Sequence, residues 1–128
     1  MDKKPIEVLV VEDDPDWQEI VHRRLKEFGV NVTVAGNLSK ALKIAAAKKH
    51  DLYPTDGSYP LKPGEPAEDL AYLKFFEEIR KLRPDAQVVA VSGHLRQESE
   101  ARRLGIEILG KDKFYDGIGG LLQKYFGK

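Results

Sequence analysis

Residues Glu7 to Asp14 read E-V-L-V-V-E-D-D, and the fold is decided in this stretch. Four consecutive apolar residues, Val8, Leu9, Val10 and Val11, run into three carboxylates, Glu12, Asp13 and Asp14. A short valine-rich run of this kind suits a strand covered on both faces. Three adjacent negative charges repel one another, so the end of this strand is expected to be solvated or to hold a cation. In open parallel sheets, ligands bind outside the carboxyl ends of the strands. Groups that converge on this end are therefore the candidates for function.

The composition narrows the classes. A chain of 128 residues fits one core, and we expect a single domain over 1–128. It carries 21 basic and 21 acidic residues, a balance that argues against wholesale binding to nucleic acid or to an anionic membrane. Hydrophobic residues make up 41% and charged ones 33%, as in globular rather than disordered chains. The absence of cysteine excludes a disulfide framework, a thiolate metal site and a cysteine nucleophile. Met1 to Pro5 is polar, with no signal-peptide core, and no apolar stretch approaches the ~20 residues of a membrane span. The expected location is the cytoplasm.

Outward from the acidic strand end, strand and helix patterns alternate. Asp14 is a good N-cap and Pro15 suits the first helical position. Trp17, Ile20, Val21, Leu25 and Phe28 recur at helical spacing, and Gly29 is the stop. Trp17, just past the acids, is expected to be a rim or packing residue. Val30, Val32 and Val34 alternate with Asn31 and Thr33, as in an edge strand with one wetter face. Asn37 or Ser39 caps a second helix running to about Lys49. A third strand is expected to end near Asp56, although Pro54 cannot donate to a ladder. Residues 61–68, with Pro63, Gly64 and Pro66, read as a loop. Leu70, Leu73, Phe76, Ile79 and Leu82 mark a third helix ended by Pro84. Gln87 to Val91 is a buried-type strand, Gln97 to Leu104 a short helix, and Ile106 to Leu109 a fifth strand. Asp116 is placed to cap a last helix carrying Ile118, Leu121, Leu122, Tyr125 and Phe126. Five strand–helix repeats imply an α/β domain, a parallel sheet with helices on both faces.

In such a sheet one rim carries Glu12 and Asp13, Asp56, Ser92 and Lys111. Mg²⁺ takes oxygen ligands, commonly one or two carboxylates with waters and phosphate oxygens. It would relieve the repulsion among the acids and polarise a phosphoryl group. A carboxylate can attack phosphorus to give an acyl phosphate. An ammonium and a hydroxyl can hold the phosphoryl oxygens.

With these residues in view, the chain resembles the receiver domains of response regulators in two-component signalling. V-L-V-V-E-D-D-P-D, from Val8, is similar to that family's opening strand and acidic pair. His50-Asp51-Leu52 followed by Asp56, with Pro60 four residues on, has the family's spacing around its phosphoacceptor. V-V-A-V-S-G-H, from Val88, resembles the strand that delivers the switch hydroxyl, and L-G-I-E-I-L-G-K, from Leu104, the one that delivers the lysine. The resemblance implies a doubly wound, flavodoxin-like sheet of order 2-1-3-4-5 with five helices. It implies that Asp56 accepts a phosphoryl group from a histidine kinase or phosphotransfer protein. Mg²⁺ would be held by Asp13 and Asp56, by Glu12 through water, and by the backbone carbonyl of Ser58. Ser92 and Lys111 would meet the phosphate. The output would pass to a partner protein or to an output domain outside this stretch.

The chain departs from the family in four places. Tyr53-Pro54-Thr55 stands where an aliphatic strand is usual, and the loop after Pro60 is longer. Asp112 replaces a usual proline, and Ile108 a usual aromatic. One residue is missing between Gly105 and Lys111, so Lys113 is a rival for the lysine role. These changes motivate an alternative: a pseudo-receiver, a protein-interaction module not regulated by phosphorylation. A turnover enzyme is not expected. Ser58 stands where a phosphatase motif needs a second acid, and no G-x-x-x-x-G-K-[ST] loop is present. His22, His50 and His94 lack metal-ligand spacing and are expected at the surface.

Overall fold

The acidic-ended run forms β1 (Glu7–Val11), and Val8 to Val11 are fully buried. Successive side chains of a strand point to opposite faces. Leu9 and Val11 enter one core, Val8 and Val10 the other. The structure, a computed structural model, describes residues 5–91 and 96–127. After β1 come α1 (Pro15–Lys26), β2 (Asn31–Ala35), α2 (Leu38–Ala47) and β3 (Tyr53–Thr55). A short hairpin of β4 (Tyr59–Pro60) and β5 (Ala67–Glu68) precedes α3 (Ala71–Leu82). Then follow β6 (Val88–Val91), α4 (Glu98–Arg103), β7 (Glu107–Leu109), α5 (Lys111–Asp116) and α6 (Ile118–Phe126).

The main sheet has the order β2-β1-β3-β6-β7 with every pair parallel. With β6 and β7 as fourth and fifth strands, this is the expected doubly wound order. Helices α2, α3 and α4 supply Ala41, Ala45, Phe75, Phe76, Ile79 and Ala101 to the core around Leu9 and Val11. Helices α1, α5 and α6 cover Val8 and Val10 with Val21, Leu25, Phe114, Ile118 and Leu122.

Local chemistry places the helix ends. Asp14 caps α1, its side chain accepting from the amides of Asp16 at 2.9 Å and Trp17 at 3.4 Å. Gly29 follows α1 with φ +73°, the left-handed region that favours glycine. Asn37, rather than Ser39, caps α2 by accepting from the Lys40 amide at 2.8 Å. The end of the chain differs from expectation. Asp116 is the last residue of α5, and α6 begins after Gly117 with no side-chain cap. The single last helix is thus two. His50 is buried rather than at the surface: its ring nitrogen Nδ1 pairs with the Lys48 carbonyl at 3.0 Å. His22 is exposed as expected, and His94 lies outside the described residues.

Pro54 does sit in a central strand, and the β1–β3 ladder shows how. The Leu9 amide donates to the Leu52 carbonyl at 3.0 Å, and the Asp56 amide to the Val11 carbonyl at 2.9 Å. Pro54 falls between them, where parallel spacing would send an amide to the Leu9 carbonyl. On the other side Tyr53 donates to the Gln87 carbonyl at 2.9 Å, and Pro54 needs no amide there. The proline therefore removes one rung and leaves the strand in place. The expected loop at 61–68 is partly a hairpin, β4 pairing antiparallel with β5. At its tip the Glu65 amide donates to the Lys62 carbonyl at 3.2 Å across Pro63 and Gly64, the latter with φ +82°. Proline then glycine at the centre of a turn is the pattern of type II.

A buried hydroxyl chain locks this region. The Thr55 hydroxyl donates to the Asp56 carbonyl at 2.8 Å. Having spent its one hydrogen there, it accepts from the Tyr59 hydroxyl at 2.8 Å. Thr55→Val keeps the shape but strands the fully buried Tyr59 hydroxyl. Urea unfolding should show a loss of about 1–3 kcal/mol. Adding Tyr59→Phe to that variant should recover part of the loss.

Candidate functional site

The carboxyl ends of β1 and β3 lie side by side, since Val11 pairs with Thr55. Each strand's next residue is thereby brought to the same rim. One carboxylate oxygen from each of Glu12, Asp13 and Asp56 lies within 4.8 Å of the others. The Lys111 ammonium sits 2.5 Å from Glu12 Oε1 and 3.6 Å from Asp56 Oδ2. It is delivered by the turn from β7 into α5, of which Lys111 is the first residue.

Each carboxylate has a distinct setting. Glu12 is buried at 2% exposure, which sets aside the solvated of the two settings expected for this strand end. Its Oε2 accepts from the Asp14 amide at 3.2 Å, and its carbonyl accepts from Gln18 Nε2 at 2.6 Å. Burial is the main reason its pKa is pushed up to about 7. The Lys111 hydrogen bond pulls it back and the Asp56 charge pushes it further. Asp13 is raised too, chiefly by burial with the Asp56 charge adding. Asp56 is half-buried, and its Oδ1 accepts from the Gly57 amide at 2.8 Å, which leaves Oδ2 as the freer oxygen. Ser58 is half-buried on the β3–β4 connection, two residues past Asp56. Lys113 is exposed and makes none of the contacts of Lys111. Ser92 lies outside the described residues.

Three carboxylates around one ammonium leave an excess of negative charge in a partly desolvated rim. That donor set is all oxygen, which fits a hard divalent cation such as Mg²⁺. The chemistry open to it is cation binding and, at Asp56 Oδ2, nucleophilic attack.

Two features were not legible in the sequence. The Trp17 ring has the Lys111 ammonium 4.7 Å from its centroid, and it lies 6.1 Å from the ring of Tyr115. Lys111 and Tyr115 share a face of α5 at i, i+4 spacing. With the last helix placed after Asp116, that spacing carried no meaning in the sequence.

The model of the response regulator receiver domain matches residues 8–110, most of the chain. The chain belongs to this family. As a receiver domain, its part is that of a signalling switch within two-component systems. Among curated relatives, the probable transcriptional regulatory protein TcrX of Mycobacterium tuberculosis is 29% identical over 111 residues. That match takes in 87% of this chain and 43% of TcrX, so the chain spans less than half of that relative. Among solved structures, the receiver domain of sensor histidine kinase PA1611 from Pseudomonas aeruginosa superposes with a TM-score of 0.79. It is 22% identical, with 98% of this chain and 100% of that one covered, and its magnesium ion is coordinated in the active-site cleft. The response regulator TrrA of Thermotoga maritima, solved with Mg²⁺ and BeF, gives 0.77 at 25% identity over 94% of this chain and 99% of its own. TrrA has also been solved in complex with the histidine kinase ThkA. Among the described residues, no helix is long and apolar enough to cross a membrane.

The Glu12 environment has a measurable pH signature. Its folded pKa, about 7, lies above the usual 4.5. Between those values the folded protein holds a proton that the unfolded chain has released. Stability from this group is therefore lost as pH rises from about 4.5 to 7. Urea unfolding in a chelating buffer should show wild type losing about 1–3 kcal/mol relative to Glu12→Gln across pH 5 to 8. A difference that stays flat would mean Glu12 is ionised throughout.

Proposed function

We propose that this receiver domain is a Mg²⁺-dependent phosphoacceptor, with Asp56 as the residue that takes the phosphoryl group. The observation that carries the reading is the convergence of Glu12, Asp13 and Asp56 around the Lys111 ammonium. Asp13, Asp56 and the Ser58 carbonyl are the proposed ligands of Mg²⁺, with Glu12 supporting it through water. When bound, the ion supplies Lewis acidity and offsets the acidic charge.

Asp56 Oδ2 forms the new bond to phosphorus as the bond from phosphorus to the leaving group breaks, and the leaving group keeps the electron pair. From a phosphohistidine donor that leaving group is the imidazole. Lys111 meets the negative phosphoryl oxygens, and Ser92 donates a hydroxyl to them. The donor is a histidine kinase or phosphotransfer protein, a reading supported by the structure of TrrA with ThkA. Charge added at Asp56 then shifts a conformational equilibrium that a downstream partner or an output domain reads. The expected chemistry is stoichiometric labelling in the cytoplasm rather than steady turnover.

Acetyl phosphate and Mg²⁺ should add the mass of one phosphoryl group to the intact protein. Asp56→Asn or a chelator should abolish that increase. Lys111→Ala should slow labelling about tenfold or more, while Lys113→Ala should leave it unchanged. No labelling by acetyl phosphate or by any phosphohistidine donor would move the protein to the pseudo-receiver reading.

A further inference from the structure

The geometry points to Trp17 as the positioning residue for the Lys111 ammonium, holding it by its ring face between Glu12 and Asp56. This inference rests on the phosphoacceptor reading. The sequence around Lys111 does little to fix the side chain. Lys111 opens a six-residue helix whose N-cap, Gly110, makes no side-chain cap bond. Its neighbours Asp112 and Lys113 are exposed. Glu12 draws the ammonium to 2.5 Å, while Asp56 Oδ2 is at 3.6 Å, so the carboxylates alone pull it toward the wrong acid.

Trp17 stands on a third side. Its centroid is 4.7 Å from Nζ, inside the ~6 Å range of a cation–π contact. The Lys111 side chain is 16% exposed, so the contact is partly desolvated and correspondingly stronger. The indole is itself held. It packs at 6.1 Å against Tyr115, which is buried and edge-on to Phe114 at 4.7 Å and 89°. Trp17 therefore spans two successive turns of α5 from α1, touching the first through Lys111 and the second through Tyr115. A ring fixed in this way keeps the ammonium at the rim, where the phosphoryl oxygens arrive.

The chain has a single tryptophan, so fluorinated tryptophan incorporated during expression reports on position 17 alone. Fluorination drains the ring's negative face with little change of shape. A purely structural role for Trp17 would not respond to it. The methylene beside the Lys111 ammonium should be shifted upfield by the indole in wild type, with the shift relaxing stepwise from mono- to trifluorinated protein. The rate of labelling by acetyl phosphate, in which acetate leaves as Asp56 bonds phosphorus, should fall in the same order. Trp17→Leu should lose about three- to tenfold in that rate, and Trp17→Phe should retain most of it. A labelling rate constant across the fluorinated series, or a Lys111 methylene without an upfield shift in wild type, would overturn the proposal. Wild type that shows the ring shift but takes no phosphoryl group would instead overturn the phosphoacceptor reading, and leave Trp17 as the residue that holds Lys111.

Discussion

The contact between Glu12 and Lys111 joins residues 99 positions apart, and the rim depends on it. It ties the end of β1 to the start of α5, beyond β7 at the far edge of the sheet. Both side chains are withdrawn from water, at 3% and 16% exposure. Removing the lysine would leave buried Glu12 and the other acids of the rim without their cation, whereas removing Glu12 would leave Lys111 still paired with Asp56. The pair does not neutralise its surroundings, because Asp13 and Asp56 share the same ammonium's neighbourhood. That imbalance adds to the burial that chiefly raises the Glu12 pKa, and it is the basis of the affinity expected for a divalent cation.

The region around Asp56 follows from what the backbone could not do. Pro54 deletes a rung between β3 and β1, the two strands whose alignment sets the acids side by side. On either side of that rung, the Leu9 amide still donates to the Leu52 carbonyl and the Asp56 amide to the Val11 carbonyl. The second of them belongs to the phosphoacceptor candidate itself, so its amide is fixed even as the rung below is missing. The hydroxyls of Thr55 and Tyr59 add a side-chain lock to the Asp56 carbonyl. The hairpin that follows is anchored to α2 as well, through the Ser39 amide and the Leu61 carbonyl at 2.9 Å. The unusual loop is thus part of what holds Asp56 still.

The sheet was legible because β1 and β6 are short apolar runs whose alternate residues enter two cores. The acids were legible because parallel strands deliver their next residues to one rim. What escaped the sequence is tertiary. The split between α5 and α6 falls at Gly117, where an added Cβ would meet the Lys113 carbonyl at 2.9 Å. No periodicity announces such a contact. The strand end was expected to be solvated or to hold a cation, and the choice for Glu12 depends on Lys111, 99 positions away. His50 looked like a surface residue because nothing in the sequence shows that Tyr53 packs edge-on against it at 5.8 Å. Pro54 was weighed as a fault in the whole strand, when only one of its two neighbours needed the missing amide.

Two tethers leave the site from the same carboxylate. One runs from Asp56 Oδ2 to Lys111 and so to α5. The other runs from Asp56 Oδ1 to the Gly57 amide, whose own carbonyl accepts from the Tyr72 amide at 3.4 Å. The Tyr72 hydroxyl in turn donates to the Arg96 carbonyl, and the Arg96 guanidinium lies 3.7 Å from Asp69. Arg96 leads into Gln97, whose φ of 59° is left-handed and therefore strained for a residue other than glycine. A connected route is not by itself a coupling, which requires that the two ends favour different states. Here the ends are unequal. A phosphoryl group on Oδ2 would engage Lys111 directly, whereas it reaches Gly57 only by redistributing charge across the carboxylate. Of these two routes from the carboxylate, the one to α5 would be the more direct for a phosphoryl group at Asp56.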